Sequence, residues 1–108
     1  MRISKELGRK KMQTGVSTLK EACEDTPRTT GFYTLLMDGK KLLIKVAEKS
    51  LREEFITLYN GFHLDGDVET KIYENRDNIT VDWSEEHDLK DAEIYVNKVK
   101  ETEEFEWM

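Results

Sequence analysis

A chain of 108 residues is the length of one ordinary domain. It is 37% hydrophobic and 37% charged, and its apolar residues come in groups, so it can bury one modest core and is not a disordered acidic chain. No apolar run approaches the ~20 residues of a membrane span, and MRISKELGRKK has no apolar stretch behind its basic residues. Cys23 has no second cysteine to pair with, so a cytoplasmic protein without membrane contact is expected.

The net charge of −6 is unevenly placed. Residues 1–49 hold 11 Lys and Arg against 6 Asp and Glu, a balance of +5, whereas residues 50–108 hold 6 against 17, a balance of −11. Such a split points to a function carried by surface charge.

In chain order, Ile3 and Leu7 among basic residues suggest a short amphipathic helix or a basic arm over residues 1–15, with Gly8 and Gly15 opposing one long helix. Thr18 and Glu21 have capping-box spacing, so a helix carrying Leu19 and Cys23 should start there and end before Pro27. Two apolar runs flank Asp38-Gly39, predicting a hairpin with strands at 31–37 and 40–47. Ser50 and Glu53 cap a helix whose stripe is Leu51, Phe55, Leu58 and Phe62, and Asn60-Gly61 closes it. Val68, Ile72, Ile79, Val81 and Trp83 predict a second hairpin at 68–74 and 79–83, with turn residues at Asn75 to Asn78. Ser84 to Asp91 reads as a polar connection, and the alternation around Ile94 and Val96 as a last strand. The expected fold is therefore α+β in a single domain, 1–108, with an antiparallel sheet of about five strands and two helices in the order α-β-β-α-β-β-β.

The chain is poor in groups that do chemistry. His63 and His87 stand apart, without the cluster a zinc ion needs, and residues 63–69 lack the full ligand pattern of a calcium loop. Glu69-Thr70-Lys71 has the Glu-x-Lys spacing of some metal-dependent nucleases, but only Asp38, in a hairpin tip, precedes it at a usable distance. No glycine-rich phosphate loop is present in the sequence. The expectation is a protein that is not an enzyme and uses neither metal nor cofactor.

The acidic half directs attention to a partner instead. Asp65, Asp67, Glu69, Glu74, Asp77, Asp82, Glu85, Glu86 and Asp88 could form a face that imitates phosphates and blocks a basic nucleic-acid-binding cleft. The stretch from Asp38-Gly39 through Ser50-Leu51-Arg52-Glu53-Glu54-Phe55-Ile56 to Asn60-Gly61-Phe62, with acidic residues after it, resembles part of a small phage-encoded anti-CRISPR protein of the type II-A class. That resemblance, over about residues 38–62, implies an inhibitor that occupies the DNA site of a CRISPR nuclease. Its partner would be a basic nucleic-acid-binding protein, with no direct nucleic-acid contact. The basic residues Arg2, Lys5, Arg9, Lys10 and Lys11 could hold phosphates but have no aromatics among them for base stacking, and the acidic half would repel a long polyanion, so a partner contact or plain solvation is favoured there.

In ETEEFEWM, at 101–108, Phe105 and Trp107 alternate with glutamates. The segment can extend a strand with both rings in the core, or present Phe105 and Trp107 to a partner's groove. A second class of function, a homo-oligomeric structural or ligand-sequestering module, would use the hairpins and this terminal strand.

Overall fold

The structure, a computed structural model, describes residues 12–62 and 66–108. The expectations placed on Arg2 to Lys11, on His63 and on Asp65 lie outside these residues. Nine elements follow one another: β1 (Thr14–Thr18), α1 (Leu19–Asp25), β2 (Gly31–Met37), β3 (Lys40–Ala47), α2 (Leu51–Asn60), α3 (Asp67–Glu74), a 3-10 turn (Arg76–Asn78), β4 (Thr80–Glu85) and α4 (Leu89–Thr102). The four strands form one antiparallel sheet in the order β1-β4-β2-β3. The fold is α+β, as expected, with four strands in place of five and four helices in place of two among the described residues.

Local signals account for the first half. Asp38 and Gly39 both take positive φ, 54° and 79°, the conformation that lets a two-residue turn follow the twist of β2 and β3. Thr18 caps α1 reciprocally: its hydroxyl accepts from the Glu21 N–H at 3.1 Å and its own N–H donates to Glu21 Oε1 at 3.0 Å. Ser50 Oγ accepts from the Glu53 N–H at 3.1 Å at the start of α2, and Gly61, at φ 68°, ends that helix. Substituting Ser50→Ala is expected to lower stability by about 1 kcal/mol, read as a shift of the urea midpoint.

The second half departs from the expected pattern. Residues 68–74 are helical because Val68 and Ile72, spaced four apart, both pack on the core, and that contact outweighs the alternating pattern. The segment expected as a last strand is α4, whose stripe of Ala92, Val96 and Val99 turns inward. Asp88 caps it, accepting from the N–H groups of Lys90 and Asp91 at 2.9 and 3.3 Å. Thr14–Thr18, expected to belong to an arm and a helix start, is a strand paired to β4.

The core lies between one sheet face and α1, α2 and α3. Leu19, Tyr33, Leu35, Phe55, Ile72, Ile79 and Val81 are buried there. Helix α4 lies across β2 and β3 on the opposite face, where Phe32 meets Tyr95 with ring centroids 4.6 Å apart. A bulge leaves Leu42 without a partner on β2 and lets Leu42, Leu43 and Ile44 all be buried in succession. The N–H groups of Glu106 and Trp107 donate to the carbonyls of Lys41 and Leu42, both at 2.9 Å, and Trp107 packs against the core. No described helix is long and apolar enough to cross a membrane.

Candidate functional site

The start of α2, the end of β3 and one side of α4 enclose a groove. Its first part, of about 460 Å³, is lined by Lys45, Glu48, Lys49, Ser50, Glu53, Glu54 and Thr57. Lys45, Val46 and Glu48 continue into a second part that Glu93, Asn97 and Lys100 complete from α4. Together they are large enough for a nucleotide-sized group. Among the described residues, none of the three lysines lies within ion-pair distance of a carboxylate. Three ammonium groups thus stand beside four carboxylates along two adjoining pockets that share Lys45, Val46 and Glu48, an arrangement suited to holding a phosphate together with a hard cation.

Beneath the groove is Tyr33, on β2. It is only 1% exposed, and its ring meets Phe55 edge-on at a centroid distance of 5.0 Å. Its hydroxyl donates to Glu54 Oε2 at 2.5 Å, which ties the buried strand to the groove wall. Burial, then the Glu54 charge and the hydrogen bond to it, then Glu69, push the Tyr33 phenol well above its ordinary pKa, so it stays protonated and acts as a donor.

The acidic residues singled out from the sequence are dispersed. Asp67, Glu69 and Glu74 ride on α3, and Asp77 accepts from the Tyr59 hydroxyl at 2.6 Å. Asp82 faces the α4 side of the sheet, opposite the core. Glu85 is buried, Glu86 Oε2 accepts from the Asp88 N–H at 3.1 Å, and Asp88 is the α4 cap. Glu69 and Lys71, two apart on a helix, diverge and do not face one another, and Lys71 Nζ sits 5.7 Å from the Trp107 ring. Phe105 is half-buried, as is Trp107. Among the described residues, no three His, Cys, Asp or Glu side chains converge to cage a metal ion.

Glu85 has a structural task. Its carboxylate accepts from the Gln13 N–H at 3.0 Å and the Thr29 hydroxyl at 2.5 Å, and meets His87 Nε2 at 3.0 Å. Burial alone would raise its pKa, but the bonds from Thr29, His87 and Gln13 outweigh it and lower the value to about 2.

No family profile and no curated protein matches the chain. Solved structures do. The chain is similar to the GIY-YIG N-terminal endonuclease domain of UvrC from Thermotoga maritima, in a point-mutant form bound to its catalytic divalent cation, with a TM-score of 0.67 and 16% identity over 83% of this chain and 93% of that one. The magnesium-bound form of the same domain gives a TM-score of 0.66 at 16% identity, over 83% of this chain and 94% of that one. In one-letter code that domain's name spells two tripeptides. Gly31-Phe32-Tyr33 opens β2 as the first, with Phe for Ile, whereas Tyr-Ile-Gly occurs nowhere in the chain.

This finding corrects the functional expectations drawn from the sequence. The resemblance to a type II-A anti-CRISPR DNA mimic rested on a hairpin and a capped helix, which the nuclease fold also contains. The inhibitor of a CRISPR nuclease, the absence of enzymatic activity and the absence of direct nucleic-acid contact are each overturned by a fold that matches an endonuclease domain over most of both chains, and the non-catalytic module is not favoured by it. Sequence reasoning passed over Tyr33, Lys45, Lys49, Glu54, Glu93 and Lys100, and Gly31-Phe32-Tyr33 was the signal available. The chain has the fold of the GIY-YIG endonuclease domain.

Proposed function

We propose that this chain binds nucleic acid through the groove between α2 and α4 and hydrolyses a phosphodiester bond there, in a reducing cytoplasm that suits its lone cysteine. The observation that carries the reading is the set of three lysines, Lys45, Lys49 and Lys100, that have no ion-pair partner among the described residues and stand among carboxylates on an endonuclease fold. Lysine ammonium groups hold phosphate oxygens as point charges. The basic residues between Arg2 and Lys11 add to the attraction.

The solved neighbours are described with a catalytic divalent cation, magnesium among them. Magnesium is commonly held by one or two carboxylates, with water and substrate phosphates completing its shell, so it needs no protein cage. Glu48 and Glu93 line the same part of the groove and supply that hard oxygen chemistry, so the residues fit. Bound there, the ion would neutralise charge developing on the phosphate. The lysines would orient the phosphate, and the wall carrying Glu54 would direct water toward it.

The double substitution Lys45→Glu with Lys49→Glu tests the reading by fluorescence anisotropy on a short labelled duplex. Affinity is expected to fall about 100-fold, and the slope of log affinity against log salt to flatten by about 2. Unchanged affinity and slope in that variant would remove the groove as the nucleic-acid site.

A further inference from the structure

We infer that Tyr33 is a positioning residue and that the carboxylate it holds, Glu54, accepts the proton of the attacking water. The inference rests on the hydrolytic reading of the groove. A phenol that is 1% exposed and packed edge-on against Phe55 has no path to a substrate. It can still act through the group it touches. Its hydroxyl engages one oxygen of Glu54 at 2.5 Å, and Glu54 is the residue that carries this contact to the groove wall. The other Glu54 oxygen keeps its lone pairs for water.

Glu48 and Glu53 line the same cleft but are exposed, and neither side chain has a hydrogen-bond partner among the described residues. A carboxylate fixed by a buried donor spends more time in a reactive geometry than one free to rotate. The charges around Glu54 are Lys45 and Lys49, Glu48 and Glu53 in the groove, with Glu69 of α3 on the Tyr33 side. In the step itself the water oxygen bonds to phosphorus while its proton passes to Glu54. The bond from phosphorus to the leaving oxygen breaks, and that oxygen takes a proton from solvent, to which the groove is open. No oxidation state changes.

Tyr33→Phe keeps the ring and its packing on Phe55 and removes only the donor. Carbon-13 relaxation NMR can follow the mobility of the Glu54 side chain in the wild-type and variant chains without nucleic acid. Cleavage of a labelled duplex with magnesium gives kcat and KM. The Glu54 side chain is expected to become more mobile in the variant, with kcat falling about 10-fold at little change in KM. Glu54→Gln should lower kcat about 100-fold with little change in KM. Tyr59→Phe, which loses its bond to Asp77 on the far side of α2, should move neither readout. Unchanged Glu54 mobility in Tyr33→Phe overturns the positioning role and leaves the hydrolytic reading intact, and full activity in Glu54→Gln overturns the proton-accepting role. Absence of cleavage by the wild-type chain would remove the hydrolytic reading and the proton transfer with it, while the NMR mobility still decides whether Tyr33 holds Glu54.

Discussion

Replacing Glu85 by alanine is expected to lower the stability of the fold by about 3 kcal/mol at neutral pH. The Glu85 side chain is 2% exposed, and three separate segments meet at it: the residue before β1, the loop before β2, and the turn after β4. Alanine leaves the Gln13 N–H and the Thr29 hydroxyl without their acceptor in a site where water has little access. The Glu85 N–H also donates to the Gln13 carbonyl at 2.8 Å, so the side chain reinforces the place where β1 joins the sheet.

The same carboxylate makes stability depend on pH, and the sign follows from its lowered value. Its pKa falls from 4.5 to about 2 on folding, so its contribution is fully present above about 4.5 and is lost as pH drops toward 2. The difference corresponds to about 3 kcal/mol. Urea midpoints measured between pH 7 and pH 3 should fall steeply in the acid range for the wild-type chain. The Glu85→Gln variant should be weaker at pH 7 and show much less of that acid loss. Equal acid sensitivity in both chains would mean that the loss arises at other carboxylates.

The second large effect is expected from Gly31→Ala, at about 3 kcal/mol. Gly31 opens β2 opposite Glu85 of β4. A methyl group there would press into the Ser84 carbonyl oxygen and stand 2.9 Å from Leu51 Cδ1 and 3.1 Å from Glu85 Cα. Two of these three neighbours are backbone atoms of the paired strand, and they can move only if the pairing opens. Leu51 is the first residue of α2, so the disturbance also reaches the helix that presents Glu54. For a domain of this size the melting temperature should fall by roughly 15 °C. A melting curve that superimposes on that of the wild type would show that β2 and β4 can separate at little cost, contrary to the close approach seen at Gly31.

How much of this was legible in the sequence depends on how far apart the deciding residues are. Asp38-Gly39, the Ser50 cap and Gly61 act within a few residues, and the hairpin and α2 follow from them. Val68-Thr70-Ile72 satisfies a strand pattern and a helix pattern together. Packing of Ile72 on a core assembled from α1, α2 and the sheet decides between them. Ile94 and Val96 were ambiguous in the same way, and the neighbours that settle α4 lie on β2 and β3. Strand β1 could not be read locally, since Thr14 finds its partner at Ser84. The groove is non-local as well: Glu54 is held by Tyr33, and Lys45 and Glu93 line one pocket only after α4 has crossed the sheet. Charge counting drew attention to the acidic half because it weighs every carboxylate equally. The fold uses Glu85 and Asp88 internally and places Asp82 apart from α3.

The contact of Glu106 and Trp107 with Lys41 and Leu42 bears on how the protein behaves when crowded. An outermost strand offers unpaired carbonyl and amide groups that a neighbouring molecule can use to lengthen the sheet, a common route into fibrils. Here the chain's own backbone takes up that position along β3 at the bulge, where a bend already disfavours a straight incoming strand. The opposite border, β1, is five residues long and carries Thr14 and Thr18 beside Val16, too short a template for extended stacking. Trimming the chain before Glu106 would uncover the β3 border, and turbidity on concentration would report the filaments that this self-contact holds off.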